Sequence, residues 1–266
     1  NFGWSGSSVL KKLFSGAEDA ALRHANAVIT ICPALADFAT SSIEDTEKHF
    51  LIENSIYEPV KLKKTPGVEA AEVSAADVID GISSEGAGSI VLYAGTLETY
   101  QGIDLLLESM PDVKAKDASI RLIVVGGSAA QVSHYEDMAA RLGVDDVCTF
   151  TGRVPQAVAK DFTARADILT SPRTRGMNTP LKIYELLDCG KPLVATRIPS
   201  HTQVLTEDVA FLADPEPYDF AVAVADAAGD AGSVEEKVAN ARRLYATDYS
   251  PAAYGEKIDR LLERIR

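Results

Sequence analysis

Cysteine is scarce in this chain of 266 residues: there are three, Cys32, Cys148 and Cys189, far apart and never in a CxxC pair. A disulfide scaffold and a zinc knuckle are therefore poor readings, and a reducing, cytoplasmic compartment is the expectation. No apolar run approaches the roughly 18–20 residues that cross a bilayer, and no leader pattern precedes the first structured segment, so neither a span nor a signal peptide is expected. Basic charge is scarce too. Against 39 Asp and Glu stand 26 Lys and Arg, for a formal charge of −13. That balance repels nucleic acid and anionic lipid unless a local patch reverses it. The densest basic stretch, Lys61, Lys63 and Lys64, reads as solvated linker. His24, His49 and His134 lack metal-ligand spacing, and no metal site is read. Gly126-Gly127 is too short for a dinucleotide fingerprint, which argues against a nicotinamide dehydrogenase.

What the chain does have is ordinary globular composition, 46% hydrophobic and 24% charged, and length enough to bury about 70–75% of its unfolded surface. From Ser89 onward, short β-branched runs (89–94, 121–125, 147–150, 166–170, 192–196 and 209–213) alternate with segments of helical spacing (102–110, 135–142, 158–164, 180–187). This alternation predicts a mostly parallel sheet covered by helices on both faces. The first 60 residues carry the same alphabet in miniature: helix 9–24, strand 27–32, helix 33–40, strand 49–54. Four organisational pieces follow: residues 1–60 as part of a second α/β domain, a linker over 61–88 with one weak helix, a main domain over 89–248, and a closing amphipathic helix over 249–266 packing back across the domains. Tyr254, Ile258, Leu261, Leu262 and Ile265 form the stripe of that last helix.

Ligands of open parallel sheets sit beyond the carboxyl ends of the strands, where helix N-termini offer free N–H groups. The loops there are rich in glycine and in polar residues: Gly95-Thr96 to Gln101-Gly102, Gly126-Gly127-Ser128, Gly152-Arg153-Val154-Pro155, Ser171 to Pro180, and Arg197 to Gln203. The fourth loop is the most informative. Asn178 or Thr179 suits an N-cap, Pro180 the first helical position, and Gly190 with Pro192 the stop. Lys182 in the first turn adds a full charge to the partial positive charge of the helix end, and Glu185 follows one turn later. A diphosphate on the lysine and helix end, with ribose hydroxyls on the glutamate, fits this spacing. A plain capped helix fits it as well.

The phrases YAGTLETYQGIDLLLE, TFTGRVP, ADILTSPR and NTPLKIYELLDCGKPLVAT resemble the donor-binding C-terminal domain of GT-B glycosyltransferases of the retaining family 4 type. The likeness covers most of residues 89–266, and residues 23–54 resemble the end of that family's N-terminal, acceptor-side domain. It implies an α/β fold with a Rossmann-like parallel sheet, and transfer from a nucleotide-diphosphate sugar without metal or further cofactor. The acceptor implied is a glycan, a lipid-linked compound or a small molecule. It also implies that the chain is mainly a donor-binding half, showing little transfer alone, cytoplasmic or peripheral to a membrane. Residue by residue, Glu185 matches the ribose-binding glutamate, and Lys182 with Asn178, Thr179, Pro180 and Leu181 falls where the diphosphate lies. Gly152, Arg153 and Val154 match the base-reading turn, and Gly95 with Thr96 the turn facing the cleft. Arg173, with Arg175, is the candidate for extra phosphate charge, and His201 a candidate contact for sugar or phosphate. Tyr100 and Trp4 read as packing residues. Three positions depart from the pattern. Met177 stands where the family has the first glutamate of a pair whose second is Glu185, and Thr96 and Gln101 stand where many relatives place basic residues. These departures keep a non-catalytic nucleotide-sugar-binding subunit open. An epimerase or phosphorylase on the same fold lacks its expected acid/base or pyridoxal constellation here.

Overall fold

A computed structural model of the chain describes residues 8–53, 73–84, 86, 88–229 and 231–266. Trp4, Lys61, Lys63, Lys64 and half of the expected linker lie outside the described residues. In chain order the elements are α1 (Ser8–His24), β1 (Val28–Thr30), α2 (Pro33–Ser42), β2 (His49–Leu51), α3 (Ala75–Ser84), β3 (Ile90–Ala94), α4 (Ile103–Lys116), β4 (Arg121–Val125), α5 (Ala129–Leu142), β5 (Cys148–Gly152), α6 (Gln156–Arg165), β6 (Ile168–Ser171), α7 (Leu181–Asp188), β7 (Leu193–Thr196), the short α8 (Pro199–Thr202), β8 (Phe211–Ala213), α9 (Pro217–Ala228), α10 (Ala231–Leu244) and α11 (Pro251–Ile265). The chain divides into two compact units, one from residues 1–57 with 248–266 and the other from residues 58–247.

In the first unit β1 and β2 pair in parallel, and α11 belongs to this unit. Lys48 is buried, its ammonium donating to the carbonyl of Arg23 at 2.8 Å. Lys257 of α11 reaches the Glu53 carboxylate at 2.5 Å and also donates to the carbonyl of Asp248. The α11 stripe is covered in part: Leu261 is buried, whereas Leu262 and Ile265 are exposed.

The second unit is built on a six-stranded sheet, all parallel, in the order β5-β4-β3-β6-β7-β8. The chain starts in the middle, moves one way to β5, then crosses back to β6 and moves the other way. That is the doubly wound, Rossmann-like α/β arrangement, and its reversal falls between β3 and β6. The seam is tightly joined. Val91 pairs with Ile168 and Leu92 with Leu169, and the buried Thr170 hydroxyl donates to the Leu92 carbonyl at 2.9 Å. The Asp167 carboxylate accepts the Ile90 N–H at 2.8 Å. Strand side chains alternate between faces: Val91, Tyr93, Leu122 and Val124 join the main core cluster with residues of α4, α5 and α9. Elsewhere α3 packs on α6 and α7 on α10.

Candidate functional site

Doubly wound sheets take their ligands in the crevice outside the carboxyl ends of the strands that flank the reversal, here β3 and β6, which are followed by the loops 95–102 and 172–180. Glycines let these backbones approach. Gly102 has φ +75°, and a Cβ there would stand 2.0 Å from the Pro172 carbonyl oxygen. The Thr174 N–H donates to the Tyr100 carbonyl at 3.0 Å, joining the two loops. Gly126, at φ +125°, packs against the Gly95 carbonyl in the same way, and its N–H donates to Gly152 at 2.8 Å. Gly95, Gly152 and Gly102 are thus brought to one edge of the sheet.

The helix ends on this edge differ in what they already hold. The start of α5 is closed by a capping box: Ser128 and Gln131 bond each other's backbone N–H groups. The start of α7 has no side-chain cap. The helix begins at Leu181 rather than Pro180, because Pro180 keeps an extended backbone (φ −63°, ψ 132°) and becomes the N-cap itself. One residue earlier, Thr179 is buried, and its hydroxyl has no hydrogen-bond partner. On the opposite loop the Gln101 side-chain oxygen is also buried without a partner. Buried polar atoms left unpaired cost about 1–3 kcal/mol each, and these two stand on the loops that follow β6 and β3.

Lys182 extends from the first turn of α7 toward β3. Its ammonium rests 4.2 Å from the centre of the Tyr93 ring. Among the described residues it makes no salt bridge. Burial of the ammonium, with the Arg173 charge as a smaller contribution, lowers its pKa to about 7. The Tyr93 ring beneath it is fully buried, and its hydroxyl donates to the Thr96 carbonyl at 2.7 Å. Glu185 is exposed one turn along α7 and makes no ion pair with Lys182 among the described residues. Leu181 is exposed, Asn178 is exposed with its carbonyl taken by Arg173, and Arg153 is exposed above Gly152 while Val154 is half-buried.

Other candidates are placed differently from the sequence reading. Arg173 is turned back on its own loop: it donates to the Arg175 carbonyl at 2.6 Å and to the Asn178 carbonyl, and lies 5.2 Å from the centre of the Tyr100 ring. Tyr100 is therefore not a packing residue but a 42% exposed platform at the rim. Arg175 is exposed. His201, read as a contact for sugar or phosphate, has no exposed surface. Its ring nitrogens are taken by Ser171, 3.0 Å away, and by Thr196, whose carbonyl lies at 2.9 Å. Burial lowers its pKa to about 4, so the ring is neutral at physiological pH. Sequence reasoning missed this because a Ser-His-Thr-Gln stretch looks like a surface turn. It also missed the unpartnered Thr179 hydroxyl, which no sequence signal announces.

A family model described as "Glycosyl transferases group 1" matches residues 88–230, more than half of the chain. The D-inositol 3-phosphate glycosyltransferase 2 of Catenulispora acidiphila is 26% identical over 67% of this chain and 44% of its own length. The phosphatidyl-myo-inositol mannosyltransferase of Mycobacterium tuberculosis is 29% identical over 60% of this chain and 42% of its own length. The chain spans about half the length, or less, of the curated relatives it matches. Among solved structures, Anabaena HepE in complex with UDP superposes with a TM-score of 0.72 at 18% identity, covering 91% of this chain and 65% of HepE. At that identity the likeness concerns the fold, which is that of GT-B glycosyltransferase structures.

Proposed function

This chain belongs to the group 1 glycosyltransferases, and from that premise we propose that its second unit binds a nucleoside diphosphate sugar at the crevice between β3 and β6, as the donor half of a retaining, metal-independent glycosyltransferase. One observation carries this reading. Where the strand order of the sheet reverses, an uncapped helix start and, among the described residues, a buried hydroxyl without a partner and an ammonium without a carboxylate fall on one short segment, residues 179–182. This is the inventory an anion needs. The solved relative HepE is itself described with UDP and with UDP-glucose, which supports a nucleotide as the anion's carrier.

In this reading the diphosphate takes the N–H groups at the start of α7, the Thr179 hydroxyl and the Lys182 ammonium. The exposed Glu185 carboxylate accepts the ribose hydroxyls, and the turn Gly152-Arg153-Val154 meets the base. Glycosyl transfer breaks the bond between the anomeric carbon and the diphosphate oxygen, and negative charge grows on that oxygen. A fixed helix end and lysine stabilise that charge with little reorganisation, which is where such a site gains rate. The acceptor is a glycan, a lipid-linked compound or a small molecule, brought by parts of the whole protein beyond this unit.

The test is a thermal-shift comparison of UDP, GDP, ADP and TDP sugars with the full chain. A ligand that binds the native state alone raises its stability by mass action, by about 2.7 kcal/mol at a hundred times its Kd. One of the four is expected to shift the transition, with Lys182→Ala and Glu185→Ala each reducing the effect. No shift with any of them overturns the reading. Donor hydrolysis or transfer by the whole protein then separates an enzyme from a subunit that merely binds.

A further inference from the structure

Beneath the loop 172–180 lies a chain of hydrogen bonds that none of the roles above uses. Ser171, Thr196 and His201 are each fully buried, at the ends of β6 and β7 and in α8. Nδ1 of His201 lies 2.9 Å from the Thr196 carbonyl and 3.0 Å from the Thr196 hydroxyl. A carbonyl oxygen can only accept, so Nδ1 carries the hydrogen. Nε2 is then the acceptor of the neutral ring, and Ser171, 3.0 Å away, donates to it. The Thr196 hydroxyl in turn donates to the carbonyl of Arg173. Every donor in the series points the same way, from Ser171 through His201 and Thr196 to the backbone of the loop.

We propose that His201 is a positioning residue: through Thr196 it clamps the Arg173 backbone and thereby fixes the loop that frames the anion end of the crevice. This rests on the function proposed above for where the anion lies, but the clamp itself does not. The loop's outer half is pinned independently, by Gln203 donating to the Met177 carbonyl at 2.6 Å and by Arg173 donating to Arg175 and Asn178. The inner half, from Ser171 to Thr174, depends on His201 and on the Thr174 N–H bond to Tyr100. The charged groups facing the ring are Lys182 and Arg173, both of which oppose its protonation; burial opposes it more strongly. The neutral ring is therefore the working form at ordinary pH.

Two substitutions separate the ring's roles. His201→Asn keeps an N–H donor near the position of Nδ1, whereas His201→Gln keeps a polar group near Nε2 and loses the donor to Thr196. In the full chain, hydrogen–deuterium exchange at the Thr174 amide is expected to quicken in His201→Gln and to stay near wild type in His201→Asn. Affinity for UDP or GDP is expected to fall about tenfold in His201→Gln, while affinity for uridine or guanosine changes by less than about twofold, since one lost bond of about 1.4 kcal/mol acts at the phosphate end. Unchanged Thr174 exchange in His201→Gln overturns the proposal. So does an equal loss for nucleoside and nucleoside diphosphate, or failure of His201→Asn to restore, because a residue that merely fills space gives those results. If the wild-type chain binds neither UDP nor GDP, the donor-site reading falls, and the exchange comparison alone decides the clamp.

Discussion

The ammonium of Lys182 stands over the face of the Tyr93 ring, 4.2 Å from its centre, with Arg173 and, among the described residues, no carboxylate for company. An aromatic face is a weak substitute for an anion, worth about 0.5–2 kcal/mol. Lys182 is therefore held in a place that suits it poorly until something negative arrives. Replacing it with methionine, which fills a similar volume without a charge, is expected to raise the stability of the unliganded chain by about 1–3 kcal/mol and to abolish diphosphate binding. Paired denaturation and binding measurements check both halves; a destabilised Lys182→Met would contradict this account.

The same lysine makes binding depend on pH. Its pKa of about 7 lies below the value of a free lysine, so between these two values the unfolded chain holds a proton that the native chain lacks. Unliganded stability from this group consequently rises as pH climbs through that window. Anion binding favours the charged form and takes up protons above pH 7. Affinity should fall with rising pH there, by at most about tenfold per unit. Lys182→Arg, charged throughout, should bind with an affinity independent of pH once the ligand's own titration is divided out, so that its ratio to wild type rises through the same range. Calorimetry at pH 8 in buffers of differing ionisation heat measures the uptake directly.

Thr179 offers a cleaner separation of stability from binding. Its hydroxyl is buried without a partner, so Thr179→Val removes an unsatisfied group at little steric cost. The unliganded chain is expected to be as stable or more so, by up to about 1 kcal/mol, while diphosphate affinity drops about three- to tenfold. Equal affinity in Thr179→Val would place the anion elsewhere.

Gly102 tests the meeting of the two loops. Alanine there combines φ +75° with a Cβ 2.0 Å from a backbone oxygen, a clash no flexible side chain can absorb. A loss of about 2–4 kcal/mol is expected. Gly81→Ala, in the middle of α3 with nothing within 4 Å of the added carbon, should instead stabilise by about 0.5–1 kcal/mol. Urea denaturation of both variants sets the contrast.

Much of the fold could be read from residue order because its punctuation is strong. The β-branched runs SIVLYA and RLIVV fall on β3 and β4, and glycine or proline marks the loops that follow β3, β4, β5 and β6. Helices α9 and α10 escaped. In α9, alanines at 221, 223, 225 and 227 blur the helical period, and only packing on α4 decides which of them are inside. At the site, the loops were legible and the side-chain orientations were not. His201 and Tyr100 exchanged places relative to expectation: the polar residue went inside because Ser171 and Thr196 supply its bonds, and the aromatic one stayed at the rim because Arg173 covers its face. Both outcomes depend on groups distant in the chain, which local pattern does not encode.

The seam between β3 and β6 joins Leu92 to Thr170, strands that are neighbours in space but separated along the chain by α4, β4, α5, β5 and α6. Closing so long an excursion is slow, since chain entropy must be spent before the contacts form. The two loops do not meet until these strands are joined. A fluorescent nucleotide that lights up on binding would accordingly serve as a clock for that pairing during refolding, staying dark while β3, β4 and β5 alone are assembled.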